Sequence, residues 1–160
     1  LVAAVGEAET AWSRVANVSF KDIGLCAPGT PAVRLTPLLT GEEPDTAMLG
    51  APAAGQADQV NVAFRFPSRR SCSRGDDPVI RRACVYGVSV HEFGHVLGLP
   101  DVAYSASAPA DCLQRGDHPP LPIPYDPRSV MNTCNDAHYF GRLSDADIAS
   151  VRALYGRPAS

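Results

Sequence analysis

Apolar residues recur at helical spacing at both ends of the chain. In residues 1–17 they stand three or four positions apart, at Val2, Val5, Ala8, Trp12 and Val15. The same period returns near the end of the chain, at Ile148, Val151 and Leu154. Ser144 and Asp147 fit the capping box that begins such a helix, and Gly156 fits its end. The pattern predicts an amphipathic helix in each segment, with one face toward a core.

A third helical segment occupies the middle of the chain. The stretch PVIRRACVYGVSVHEFGHVLGL, from Pro78 to Leu99, is long enough for a helix of several turns. Asp77 fits an N-cap, and proline is tolerated in the first turn. Gly98 followed by Pro100 predicts the end of this helix.

Shorter stretches of alternating or β-branched residues predict strands. They are residues 18–24, 32–39 and 59–66, each bounded by proline, glycine or aspartate. The segment 46–55 is a weaker candidate, and its glycine and proline content suits a sheet edge. Residues 102–130 are rich in Pro, Asp, Ser and Gly, which indicates a long loop of the kind that is either functional or disordered.

Composition narrows the class of protein. A chain of 160 residues, 45% of them hydrophobic, can bury one core, so residues 1–160 are expected to form a single domain. The net charge of −3 gives no electrostatic basis for binding nucleic acid. No apolar run approaches the length of a membrane span. The opening LVAAVGEAET lacks the basic start of a signal peptide, so any export signal is expected upstream.

Cysteine usage favours disulfides and an oxidising, extracellular compartment. The chain has five cysteines and no CxxC pair. We expect Cys72 to pair with Cys84, and Cys112 with Cys134, which leaves Cys26 over. The spacing alone leaves other connectivities open, because any of the five can be the odd one and the other four pair in three ways.

The segment VSVHEFGHVLGLPD, residues 88–101, carries the most specific chemistry in the chain. On a helix, His91 and His95 lie on the same face, about 5 to 6 Å apart at their Cβ atoms, and can converge on one ion. Neutral imidazole is a preferred zinc ligand. The alternative is a buried structural helix that carries two histidines by chance. The HExxH pattern favours a catalytic zinc ion.

A catalytic zinc site needs a third protein ligand. Gly98 allows a sharp turn, and Asp101 is the next residue with ligand chemistry, which completes the pattern HExxHxxGxxD. No glutamate follows Glu92 in the sequence, so a third ligand of that type on a later helix is excluded. Four rivals to Asp101 remain open, namely His118, His138, Asp111 and Asp117; for the two histidines an ordinary surface or loop position is expected.

Glu92 follows the first ligand by one position, so it points beside the metal and toward the attacking water. A carboxylate in that position can accept a proton from water and deliver it to the leaving amine. The sequence therefore predicts hydrolysis of peptide bonds with Glu92 as the general base.

At these residues the chain resembles the metzincin zinc endopeptidases. VHEFGHVLGL is similar to the active-site helix of the matrix metalloproteinases. AETAWSRVANVSF is similar to their first helix with the strand that follows it, and LSDADIASVRALYG to their last helix. The resemblance implies an α+β fold with a twisted five-stranded mixed sheet packed on the active-site helix, and a C-terminal helix. It also implies a substrate-binding edge strand at Thr46, Ala47, Met48, Leu49, Gly50 and Ala51.

The resemblance further implies that Met131, in SVMN, supports the metal from below. An aspartate third ligand departs from the matrix metalloproteinases and looks like that of the snapalysins. The glycine-rich loop with calcium and structural zinc ligands has no counterpart here, so calcium is not indicated. The first helix of the family follows a strand, which implies a segment upstream of Leu1.

The leading hypothesis is thus a secreted, monomeric zinc endopeptidase with one Zn²⁺ and a protein or peptide substrate, and with neither a nucleic-acid nor a membrane partner. One alternative keeps HExxH but takes a remote third ligand, as in the aspzincins. Another is a zinc-stabilised binding module without turnover.

Overall fold

The computed structural model describes residues 2–20, 33–38, 45–46, 58–63, 72, 77–112 and 120–159. Three α-helices lie within these ranges: α1 (Val2–Ser13), α2 (Pro78–Val96) and α3 (Asp145–Tyr155). Two 3₁₀ helices follow α2, at Val102–Tyr104 and Asp136–Phe140. The three predicted helices are confirmed.

The helix ends follow the predicted capping chemistry. The Asp77 carboxylate accepts a hydrogen bond from the Val79 amide and begins α2. Ser144 and Asp147 form a complete capping box at the start of α3. Side chains at these positions satisfy amide groups that have no partner within their own helix.

A small sheet comprises β1 (Val33–Leu38), β2 (Asp45–Thr46) and β3 (Asp58–Ala63), in the order β1-β3-β2. β1 pairs with β3 in parallel, and β2 pairs with β3 antiparallel. The strands predicted at 32–39 and 59–66 are therefore present. β2 and β3 also contact α2, which places the sheet against the central helix.

The predicted α+β, metzincin-like fold with a five-stranded sheet is wrong. The residues that the structure describes hold three strands, one of them two residues long, and helices form most of their regular structure. Of the predicted strand 18–24, residues 18–20 have no regular structure, and residues 21–24 lie outside the described residues. The Phe20 ring instead packs on Phe93 of α2, with centroids 5.1 Å apart.

The core is centred on α2, which α1 packs against. Trp12 is fully buried, and its Nε1–H donates to the Val90 carbonyl of α2 at 2.8 Å. On another side, the second 3₁₀ helix approaches α2 at Gly87, where a Cβ atom would lie 2.1 Å from the Tyr139 carbonyl oxygen. The central helix is thus held from two directions.

The C-terminal helix ties the ends of the other two helices together. Arg152 Nε donates to the Val15 carbonyl at 2.7 Å, and the Tyr155 hydroxyl donates to the Leu97 carbonyl at 3.1 Å. Val151 is buried, but Leu154 is 57% exposed. The predicted apolar face of α3 is therefore only partly buried. Val2 of α1 is exposed in the same way.

Two disulfides join Cys72 to Cys84 and Cys112 to Cys134, as predicted. Cys26 lies outside the described residues. Two disulfides in a chain of this size indicate an oxidising environment.

Among the helices that the structure describes, none combines the length and the apolar character needed to cross a membrane.

Candidate metal site

The central helix places two histidines on one face. His91 is buried and His95 is half-buried, and their Nε2 atoms lie 3.1 Å apart. The ring planes are nearly perpendicular, at 82°. The spacing of four residues along α2 produces this convergence, as the sequence predicted.

A sharp bend after α2 brings a carboxylate to the same point. Gly98 adopts a φ of 93°, which glycine tolerates without a steric penalty. The chain then reaches Asp101, whose Oδ1 lies 3.4 Å from His91 Nε2 and 3.7 Å from His95 Nε2. The structure thus brings His91, His95 and Asp101 into one group that could hold a metal ion.

Hydrogen bonds fix which nitrogen of each imidazole carries the proton. His91 Nδ1 lies 2.9 Å from the Val130 carbonyl oxygen, and His95 Nδ1 lies 2.8 Å from that of Leu99. A carbonyl oxygen only accepts, so both Nδ1 atoms are donors. A neutral imidazole has a single N–H, so in the neutral form of each ring the Nε2 atom carries a bare lone pair. Backbone carbonyls orient metal-ligating histidines in the same way.

The three converging atoms leave a position between them that suits a cation. The two Nε2 atoms face each other, and the buried Asp101 Oδ1 has no hydrogen-bond partner among the residues that the structure describes. Asp101 stands at the N-cap of the first 3₁₀ helix, yet its side chain does not cap that helix. A tetrahedral ion with ligand bonds of about 2.0–2.1 Å separates its ligand atoms by about 3.3 Å. The observed separations of 3.1, 3.4 and 3.7 Å fit that geometry.

Burial also favours the protonation state that binds a metal at His91. Burial, and then the nearby His95, lower the pKa of His91 well below its usual value, although the Val130 carbonyl opposes this shift. His91 is therefore neutral near pH 7. Burial raises the pKa of Asp101, and the nearby His95 imidazole offsets part of that rise. An uncompensated buried carboxylate is unfavourable, and a bound cation would compensate it.

Glu92 lies beside the three candidate ligands. Its side chain is buried, with 1% of the residue exposed, and Oε1 lies 4.0 Å from His91 Nε2. It is not a member of the group that could hold the ion. Its role as a general base stays a prediction.

Met131 is buried beneath the turn of α2 that joins the two histidines. A Cβ atom on Gly94 would lie 2.4 Å from Met131 Sδ and 3.2 Å from Trp12 Cζ2, so only glycine fits there without displacing them. The Val102 amide also donates to the Met131 carbonyl at 2.9 Å, which fastens the segment after Asp101. Met131 thus contacts both the helix that carries the two histidines and the segment that follows Asp101.

None of the four alternative third ligands belongs to the group of His91, His95 and Asp101 in the described part of the chain. Asp111 is exposed and stands apart from the group, while Asp117 and His118 lie outside the described residues. The expectation that His138 is an ordinary surface or loop residue is wrong. It is only 6% exposed, its Nδ1 donates to the Asn132 carbonyl, and its ring centroid lies 5.6 Å from that of His91.

Two other contributors were not predicted, namely the carbonyls of Val130 and Leu99 that orient the histidines. Backbone acceptors leave no mark in a sequence, and Val130 is 39 residues from His91. Of the predicted substrate-binding edge strand, Thr46 lies in β2 at the edge of the sheet. The other positions, Ala47, Met48, Leu49, Gly50 and Ala51, lie outside the described residues.

Comparison with known proteins gave no match, either to a protein-family model or to a curated protein.

Proposed function

We propose that the protein is a zinc-dependent endopeptidase that is secreted and hydrolyses peptide bonds of proteins or peptides. One observation carries the proposal: beside a buried glutamate, two imidazole Nε2 atoms converge within 3.7 Å on a carboxylate oxygen that has no hydrogen-bond partner among the described residues. The two disulfides support export to an oxidising compartment.

Zinc is the metal that this donor set favours. Two neutral imidazoles and one carboxylate match the three protein ligands of catalytic zinc sites, which keep a fourth position open. Structural zinc sites use four protein ligands. Within the described part of the chain, no fourth His, Cys, Asp or Glu joins the group, which favours a catalytic role over a purely structural one.

When bound, zinc acidifies a water molecule and polarises the scissile carbonyl group. The chain supplies the proton transfers. The Glu92 carboxylate accepts a proton from the attacking water and donates it to the nitrogen of the departing amine. The Val130 and Leu99 carbonyls hold the Nδ1–H groups of His91 and His95, which turns both Nε2 atoms toward the ion. Burial of Glu92 excludes bulk water from competing for its proton.

A peptidase assay tests the proposal. The purified chain is given casein and an internally quenched peptide library, with and without 1,10-phenanthroline, and zinc is added back after chelation. We expect cleavage that the chelator stops and zinc restores. Stoichiometric zinc without any cleavage would favour the non-catalytic binding module and overturn the proposal.

The choice of third ligand has its own test, the zinc content of Asp101→Ala. We expect that variant to lose most of its zinc, whereas the exposed Asp111→Ala variant should keep it. Full zinc occupancy in Asp101→Ala would instead support a remote third ligand such as His118.

A further inference from the structure

His91 is connected to a buried carboxylate through a continuous chain of hydrogen bonds. Its Nδ1–H donates to the Val130 carbonyl at 2.9 Å. The amide N–H of the same peptide unit, on Met131, donates to Ser129 Oγ at 2.9 Å. The Ser129 hydroxyl in turn donates to Asp147 Oδ1 at 2.5 Å.

Every bond in this chain has a defined direction. The Met131 amide can only donate, so Ser129 Oγ accepts from it and turns its own proton to Asp147. Asp147 accepts at both oxygens, because its Oδ2 takes the amides of Val130 at 2.9 Å and Ser144 at 2.8 Å. All donors therefore point toward the carboxylate. Hydrogen bonds aligned in this way polarise and strengthen one another.

Because the whole chain of hydrogen bonds is buried, solvent does not screen the effect of the Asp147 carboxylate on His91. Ser129, Val130, Met131 and Asp147 are all buried, and so is His91 at the other end. In a low-dielectric interior, an anion at the end of such a chain pushes electron density onto the Val130 carbonyl oxygen. That oxygen then attracts the Nδ1 proton of His91 more strongly and enriches the Nε2 lone pair.

The second histidine has no such connection. His95 Nδ1–H donates to the carbonyl of Leu99, and the peptide unit of that carbonyl ends in Pro100. Proline has no amide proton, so the hydrogen-bond chain cannot extend beyond the carbonyl. Only the carbonyl that accepts from His91 is therefore linked to a carboxylate by further hydrogen bonds. His95 provides a comparison within the same protein, because its carbonyl has no such link.

We propose that Asp147 is a positioning residue for the metal site, which acts through Ser129 and the 130–131 peptide to hold His91 in place and make it the stronger of the two imidazole ligands. The proposal rests on the metal site proposed above. It gives Asp147 a second role beside its part in the capping box of α3.

Three variants separate this role from helix capping. Asp147→Asn keeps the shape and one acceptor oxygen but presents an NH₂ group to Ser129, which reverses that hydrogen bond. Ser129→Ala interrupts the chain and leaves Asp147 intact. Ser144→Ala is the matched control, because it removes the hydroxyl that caps Asp147 N–H but leaves every bond of the chain in place.

Two measurements on these variants decide the question. The first is the zinc dissociation constant from competition with a chromogenic chelator. The second is the NMR shift of the two imidazole Nδ1–H protons in the ¹⁵N-labelled, zinc-loaded protein. A role confined to folding would lower stability without singling out one imidazole.

We expect Asp147→Asn and Ser129→Ala to bind zinc roughly tenfold more weakly, at the low end of the losses seen for direct outer partners of ligands. The His91 Nδ1–H resonance should move upfield, while that of His95 stays in place. Ser144→Ala should match the wild type in both readouts.

Wild-type zinc affinity in Asp147→Asn and Ser129→Ala, or equal shifts at both histidines, would overturn the role of Asp147 and leave the metal site standing. Should Asp147→Asn fail to fold, Ser129→Ala decides alone. A wild-type chain that binds no zinc would overturn the metal site itself.

Discussion

The Nε2 atoms of His91 and His95 face each other at 3.1 Å, and neither carries a proton when both rings are neutral. Both Nδ1–H groups are engaged by carbonyl oxygens, which leaves two lone pairs opposed across a gap suited to a cation. Asp101 Oδ1 is buried, has no hydrogen-bond partner in the described part of the chain, and points to the same gap.

Zinc should stabilise the folded chain. A ligand at one hundred times its dissociation constant adds about 2.7 kcal/mol to the free energy of unfolding. For a domain of this size, we expect the melting temperature to rise by roughly 5–10 °C. Differential scanning fluorimetry in zinc and in EDTA measures the shift. His95→Ala should abolish it, whereas Asp111→Asn should preserve it; a full shift in His95→Ala would contradict the assigned ligands.

The metal-free protein should lose stability in mild acid. The pKa of His91 is lowered by burial, so below about pH 6.5 the unfolded chain takes up a proton that the folded chain does not. Stability is complete above that pH and falls below it, by up to about 1.4 kcal/mol per pH unit. Urea denaturation in EDTA at pH 7.5 and 5.5 measures the loss.

His91→Gln should reduce this pH dependence. Asp101 acts in the opposite direction, because its raised pKa lets the folded chain take up a proton first. The comparison is therefore made in an Asp101→Asn background. An unchanged pH dependence in the His91 variant would show that another group causes it.

Gly94→Ala should destabilise the protein although alanine is the better helix former. A Cβ atom at Gly94 would lie 2.4 Å from Met131 Sδ and 3.1 Å from its Cε. Overpacking of this kind costs about 1–3 kcal/mol, which outweighs a helix-propensity gain of about 1 kcal/mol. Urea denaturation of the single variants and of the Gly94→Ala, Met131→Ala pair forms a double-mutant cycle. We expect the second change to relieve part of the first; simple additivity would mean that the two residues do not touch.

Glu92→Gln should keep zinc and lose activity. Glutamine retains the shape but cannot accept a proton, so we expect the rate of peptide cleavage to fall by roughly 10²–10⁴-fold. Zinc content by atomic emission and kcat/KM on a quenched peptide give the two readouts. A variant with normal zinc and normal kcat/KM would exclude Glu92 as the base.

The candidate ligands could be predicted because they depend on local geometry. The spacing of His91 and His95 on one helix, and the turn that Gly98 allows before Asp101, follow from helical periodicity and glycine conformation. The caps at Asp77 and Ser144 follow from local chemistry in the same way.

Features that depend on long-range packing were missed. The five-stranded sheet came from a family resemblance, and Phe20 packs on a helix where a strand was expected. His138 is buried beside His91 because the second 3₁₀ helix approaches α2 at Gly87, 51 residues earlier in the chain. The spacing of apolar residues along the sequence does not predict a contact between two segments so far apart in the chain. The link from Asp147 to His91 passes through backbone groups, which are present at every residue.

The most direct measurement is zinc K-edge X-ray absorption on the zinc-loaded protein, compared with Asp101→Ala. We predict one zinc ion with two imidazole nitrogens at about 2.0–2.1 Å, one carboxylate oxygen and one water. After unbound metal is removed, the fraction of Asp101→Ala that still holds zinc should lack the carboxylate oxygen. A zinc ion held by four protein ligands, or the same spectrum in both proteins, would contradict a catalytic site built from His91, His95 and Asp101.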